Sequence, residues 1–239
     1  GPSETDVNST GTVNYTITYA GHNSISLTES DVTLNETGVT CSTKTVTTVD
    51  SNNRTVSISN CNGDGSVGIT IEAATAADIA GNLAPASAAS STFNVDNTAP
   101  TVSIGAPSLS DAKAADTVDF TLTYEIAPTA LVTGDISFGG TDSTGCSVSG
   151  IASAATVNPV VSVTGCSGNG TVSITVAAGE STDTAGNTDA GATSTTFNVD
   201  NVDPSVSVGD PSPTLANAST IVAFTLTYDF APSPDLTSI

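Results

Sequence analysis

Apolar and polar residues alternate along most of this chain. Between positions 102 and 199 the apolar runs are Val102/Ile104, Val118/Phe120/Leu122/Tyr124, Ile136/Phe138, Val148, Val161/Val163, Val172/Ile174/Val176 and Phe197/Val199. Thr, Ser, Asp and Asn hold most of the positions between them. A period of two puts successive side chains on opposite faces of a strand, so each run predicts a strand with one buried and one solvated face. Antiparallel sheets accept that asymmetry. Gly, Pro, Asn and Asp punctuate the gaps, as at Gly139-Gly140. Asn62-Gly63-Asp64-Gly65 and Ser167-Gly168-Asn169-Gly170 read first as hairpin turns.

The pattern repeats. Val13-Asn14-Tyr15-Thr16-Ile17-Thr18-Tyr19 returns as Val118-Asp119-Phe120-Thr121-Leu122-Thr123-Tyr124, and again as Val222-Ala223-Phe224-Thr225-Leu226-Thr227-Tyr228. Phe93-Asn94-Val95-Asp96-Asn97 returns as Phe197-Asn198-Val199-Asp200-Asn201. The offset is about 104–105 residues, the size of one small domain. About seven short strands per repeat predict all-β, tandem immunoglobulin-like β-sandwich domains. The expected units are 1–100, lacking its first strand, 101–204, complete, and 205–239, the first two strands of a third. Two strands do not bury a core alone. The last unit is therefore expected to lean on another chain, or to be part of a longer domain. Its first strand is a candidate to complete the first unit of a neighbouring copy. Gly1-Pro2-Ser3 reads as the start of a fragment or as a tag remnant.

Composition narrows the function. There is no Trp or Met, so cores must come from Val, Ile, Leu, Ala and the few Phe and Tyr. Acids outnumber bases 24 to 3, for a net charge of -21. That excludes a basic nucleic-acid surface and favours divalent cations. No apolar run reaches membrane-spanning length.

Cys41 and Cys61 are spaced as Cys146 and Cys166 are. Four cysteines allow three pairings, and the repeated spacing favours Cys41–Cys61 and Cys146–Cys166. Reduced buried thiols are the other reading. A bridged loop of this size contributes about 3 kcal/mol in the chain-entropy account. Zinc lacks ligands, since His22 is the sole histidine. The same shortage excludes a repeated Ser-His-Asp site, and the chain is expected not to be an enzyme.

Asp78-Ile79-Ala80-Gly81-Asn82 and Asp183-Thr184-Ala185-Gly186-Asn187 each place a carboxylate and an amide around a glycine. Glu72 and Glu180 lie upstream of them. Asp96, Asp200 and Asp203 stand in the linkers, beside Asn97 and Asn201. Such oxygens are candidate calcium ligands. Asp96 could share an ion with the loop carrying Asp111 and Asp116. Equally, D-x-A-G-N is a self-capped turn that binds nothing.

Read in order, Glu125-Ile126-Ala127-Pro128, Gly134-Asp135-Ile136, Asp183-Thr184-Ala185-Gly186-Asn187 and Val199-Asp200-Asn201-Val202-Asp203-Pro204 resemble the bacterial Ig-like repeats of very large surface adhesins. That group carries D-x-A-G-N turns and V-D-x-T-x-P linkers. The first repeat departs from it with Ala20-Gly21-His22-Asn23, and the second linker with Val202-Asp203. The resemblance implies a stiff extracellular spacer that holds an adhesive domain away from a bacterial cell surface. It also implies calcium near the linkers and neighbouring repeats of the same protein as partners. The alternatives are a filament or sheath subunit that exchanges strands with other copies of itself, and a glycan- or cell-surface-binding module.

Overall fold

The computed structural model describes residues 1–229. The first repeat forms β1 (Asp6–Val7), β2 (Thr12–Thr18), β3 (Ser24–Ile25), β4 (Val32–Thr48), β5 (Asn53–Ile71), β6 (Ala76–Ala77) and β7 (Phe93–Val95). The second forms β8 (Val102–Ile104), β9 (Asp111–Ala112), β10 (Val118–Tyr124), β11 (Ile136–Gly140), β12 (Ser147–Ala152), β13 (Val160–Thr164), β14 (Gly170–Val176), β15 (Ala192–Thr193) and β16 (Phe197–Val199). A hairpin of β17 (Val206–Val208) and β18 (Leu226–Tyr228) follows. Every alternating run between 102 and 199 lies in a strand.

The period-two signal becomes burial directly. Along β10, Val118, Phe120, Leu122 and Tyr124 are buried, while Asp119, Thr121 and Thr123 are exposed. The second repeat is an Ig-like sandwich of two sheets, β12-β13-β10-β8 and β11-β14-β16-β9, with β15 on the edge of β14. Their inner faces enclose one apolar cluster, with Phe120 and Phe197 ring centroids 6.1 Å apart at its centre. Each large side chain so buried contributes about 1.5–3 kcal/mol. The first repeat has its own cluster, with Tyr15 and Phe93 6.4 Å apart at the matching positions. No residue belongs to both clusters.

Three features differ from the sequence expectation. Asn62-Gly63-Asp64-Gly65 is not a hairpin turn but lies inside β5. There the long β4–β5 hairpin passes from the part of β5 that pairs with β2 to the part that pairs with β7, with a register shift between Thr37 and Val39. Gly63 has φ +94°, and a Cβ on Gly65 would collide with the Thr37 carbonyl. Glycine is needed for a corner, not for chain reversal. In the second repeat the same hairpin is cut into β11/β12 and β13/β14, so Ser167-Gly168-Asn169 crosses between sheets instead of reversing the chain. Second, Cys41 and Cys61, which the neighbouring turn residues would place at or near strand ends, sit in mid-strand. Third, the sheets are not wholly antiparallel: β1 pairs with β7, and β9 with β16, in parallel. Two-residue strands give too short a pattern to be seen in sequence.

β17 and β18 pair antiparallel, Val206 opposite Tyr228 and Val208 opposite Leu226. They bury little, since Val206, Val208 and Leu226 all remain exposed. Among the described residues no helix is long and apolar enough to cross a membrane.

Candidate functional site

The two D-x-A-G-N segments fold alike. In the second repeat, Asp183 Oδ1 accepts the Asn187 backbone N–H at 2.8 Å, and Oδ2 accepts its Nδ2 at 2.8 Å. Gly186 supplies φ +93°, which an L-residue resists. In the first repeat, Asp78 Oδ1 accepts the N–H groups of Ala80 and Asn82, and Oδ2 accepts Asn82 Nδ2 at 2.8 Å. Hydrogen bonds from Asn82 hold the Asp78 carboxyl below the usual carboxylate range. Burial pulls the Asp183 carboxyl upward, but the bonds from Asn187 and the turn backbone outweigh it, and it too lies low. Each turn is therefore a self-capped Asx structure.

What differs is the neighbour. Asn187 Nδ2 also donates to the backbone carbonyl of Asp96, at 2.8 Å. This bond joins the second repeat to the last residues of the first. Asn187 is half-buried, whereas Asn82 is exposed. A Cβ on Gly186 would stand 3.3 Å from Asn8 Nδ2, so the glycine also leaves room for the first repeat. The structure thus brings Asp96, Asp183 and Asn187 together.

The other predicted ligands lie apart. Asp78 and Asn82 form their own turn. Asp96 Oδ1 and Asp200 Oδ1 cap the N–H groups of Thr98 and Val202, at 2.9 Å each. Asp203 is exposed. Glu72 accepts from Thr33 Oγ1. The loop carrying Asp111 and Asp116 does not meet Asp96. Asp111 accepts from Asn198, and the turn closed by Asp116 donates through Ala114 N–H to Asn201 Oδ1, so this loop sits at the far pole of the second repeat.

The linker asparagines have a role that sequence reasoning missed. Asn97 Nδ2 donates to the Gly63 carbonyl at 2.8 Å, and its Oδ1 accepts from Ser9 N–H at 2.6 Å. Asn201 repeats this with the Gly168 and Cys166 carbonyls and with Ala114 N–H. Each one pins the end of its last strand to the corner that carries the disulfide. The repetition of Asp-Asn after Val95 and Val199 was the available signal.

Both expected disulfides form. Cys41 and Cys61 are directly opposed across β4 and β5, with Cα atoms 3.9 Å apart. Cys146 and Cys166 are joined at the matching place, with Cα atoms 4.0 Å apart.

Chemically, the junction presents an amide donor between two acceptors. Calcium needs six to eight oxygen ligands. Among the described residues no three His, Cys, Asp or Glu side chains gather as a metal-holding group. In this hydrogen-bonded arrangement the Asn187 NH2 occupies the space between Asp183 and the Asp96 carbonyl. His22 faces the Ser51 carbonyl at 3.0 Å, a loop contact.

One other cluster is electrostatically unusual. Burial, together with the charges of Asp135 and Asp189, pushes the Glu180 carboxyl up. Beside it the buried Tyr124 hydroxyl makes no hydrogen bond among the described residues, and burial raises its pKa. In the first repeat the corresponding Tyr19 hydroxyl donates to Thr75 Oγ1 at 2.8 Å.

No family model matches the chain, and no curated protein sequence matches it. Several solved structures are similar in shape. InvD of Yersinia pseudotuberculosis is 16% identical, over 95% of this chain and 67% of that one, with a TM-score of 0.35. The Yersinia pseudotuberculosis adhesin InvE is 17% identical, over 83% of this chain and 58% of that one, with a TM-score of 0.28. A marsupial T cell receptor is 10% identical, over 98% of this chain and 81% of that one, with a TM-score of 0.36.

Proposed function

We propose that this chain is a spacer segment of a bacterial cell-surface protein of the adhesin type, and that its work is to hold successive Ig-like repeats at a fixed angle. The observation that carries this reading is the Asn187–Asp96 bond between repeats. Behind it stands a continuous path. Each disulfide fixes a sheet corner, each linker asparagine pins the last strand to that corner, and the following Asp-capped turn stiffens the exit. A spacer needs that continuity more than it needs a pocket. A catalytic role finds no support in the single histidine or in the repeated, self-satisfied acids.

Calcium is the second reading of the same groups. The convergence of Asp96, Asp183 and Asn187 and the net charge of -21 favour it. With the Asn187 amide turned over, Asn187 Oδ1, Asp183 Oδ2 and the Asp96 carbonyl would offer three oxygens to one cation. Thermal unfolding in millimolar calcium and in chelator separates the two readings. Binding to the native state raises the midpoint, by about 2.7 kcal/mol of stability at a hundredfold excess over Kd. The hydrogen-bonded junction predicts no shift, and a shift lost in Asp183→Asn selects the ion.

Residual dipolar couplings on the full chain test the spacer reading. Both repeats should fit one alignment tensor. Two unrelated tensors would defeat the proposal.

A further inference from the structure

The chain holds two Asn-Gly pairs, Asn62-Gly63 and Asn169-Gly170. An asparagine side chain followed by glycine is open to attack by the next backbone nitrogen, because no Cβ shields that nitrogen. The fold treats the two pairs differently. Asn62 and Gly63 lie within β5, opposite Thr40 and Val39 of β4, directly after the bridged Cys61. Asn169 lies outside any strand, exposed in the crossing between sheets. Gly170 after it is the first residue of β14, opposite Val199 at the end of the ladder with β16.

The Asn169 side chain is also disposed for the reaction. Its Oδ1 accepts the Asn201 N–H at 2.7 Å, which stabilises the negative charge that develops there when Cγ is attacked. Its Nδ2, the group that leaves, makes no hydrogen bond among the described residues. Packing fixes the glycine, since a Cβ on Gly170 would stand 2.6 Å from Thr141 Oγ1. The first repeat shows that the corner accepts the product. Asp64 holds the place of Asn169, each following the second bridged cysteine of its repeat at the same spacing. Asp64 Oδ1 accepts the Asn97 N–H at 2.6 Å, as Asn169 Oδ1 accepts that of Asn201.

We propose that Asn169 is a site of spontaneous covalent modification in the folded protein, converting to aspartate and isoaspartate, and that the isoaspartate form releases Asn201. The Gly170 nitrogen gives up its proton and bonds to Asn169 Cγ, the Cγ–Nδ2 bond breaks, and ammonia leaves. Water then opens the cyclic imide. Opening at Cγ restores the ordinary backbone and leaves aspartate. Opening at the backbone carbonyl leaves the chain running through Cγ, which lengthens it by one carbon. One water is consumed and one ammonia released, with no change of oxidation state. The aspartate form keeps the bond to Asn201, as Asp64 keeps its bond to Asn97. The isoaspartate form shifts Gly170 away from Val199 and unpins the exit of the second repeat. None of this depends on the spacer reading, since it involves neither Asn187 nor Asp96.

Peptide mapping by mass spectrometry of the full chain, aged in mildly alkaline buffer, tests this. In the folded protein Asn169 should convert about tenfold faster than Asn62, the ratio that about 1.4 kcal/mol of local opening in β5 supplies. In urea with the disulfides reduced, the two should convert at the same rate. Hydrogen exchange at the Asn201 N–H should match the parent in Asn169→Asp and quicken in the isoaspartate fraction. An Asn169 that stays intact in the folded protein, or converts no faster than Asn62, would overturn the proposal. So would an isoaspartate fraction whose Asn201 N–H exchanges as slowly as the parent's.

Discussion

Tyr19 and Tyr124 occupy the same place in successive repeats but not the same environment. Tyr19 donates to Thr75, whereas Tyr124 meets Glu180, Asp135 and Asp189 in its surroundings and finds no hydrogen-bond partner among the described residues. A net hydrogen bond contributes about 0.5–1.5 kcal/mol, whereas an unsatisfied buried hydroxyl detracts. Tyr19→Phe should therefore destabilise the first repeat by about 1 kcal/mol, and Tyr124→Phe should be neutral or stabilising. Urea unfolding of both variants checks this, and equal losses would contradict it. Glu180 adds a pH dependence. Its carboxyl is raised in the folded state by burial and by Asp135 and Asp189. Between the unfolded value and that raised value the folded state holds a proton that the unfolded state has released, so stability falls as pH rises through the window. The lowered carboxyls of Asp78 and Asp183 act in the opposite sense, losing stability as pH falls through their folded values. Urea midpoints measured from pH 4 to 7 should show the decline above the ordinary glutamate range, and Glu180→Gln should flatten it.

At the scale of the element, the strands were legible because alternation survives wherever one face is buried. Val118, Phe120, Leu122 and Tyr124 announced β10, and the three repeated aromatic segments announced the period. The short parallel pairs β1–β7 and β9–β16 were not legible, since two residues carry no pattern. The β5 corner was misread because Asn-Gly-Asp-Gly has the chemistry of a reversal, and only the register of β4 shows that the chain goes straight on. At the candidate site, the D-x-A-G-N turns were visible from their glycine and their paired polar side chains. That Asn187 of the second reaches the Asp96 carbonyl is a tertiary fact and left no trace in the local sequence. The disulfides could be paired from spacing, and their setting tells what they do. Each lies beside a sheet corner rather than in a flat ladder. Replacing Cys146 and Cys166 together by Ser should lower the stability of the second repeat by about 2–5 kcal/mol. It should also loosen Asn201, whose amide is held by the Cys166 and Gly168 carbonyls. Faster hydrogen exchange at Asn201 N–H than in the parent reports that loosening, and unchanged exchange would separate disulfide from linker.

For the whole molecule, two cores that share no residue could rotate freely about a linker, since small contacts between domains ordinarily permit relative motion. Here the linker is anchored on one side by Asn97 and gripped on the other by Asn187. The first-repeat turn supplies an internal control. Asn82 makes the same bond to its own aspartate as Asn187 does, but it is exposed and makes no hydrogen bond to the second repeat among the described residues. The most direct measurement is therefore the alignment tensors of the two repeats, from residual dipolar couplings, in Asn187→Ala and in Asn82→Ala. The account predicts a common tensor in the parent and in Asn82→Ala, and divergent tensors with intact repeats in Asn187→Ala. A common tensor that survives Asn187→Ala would contradict it.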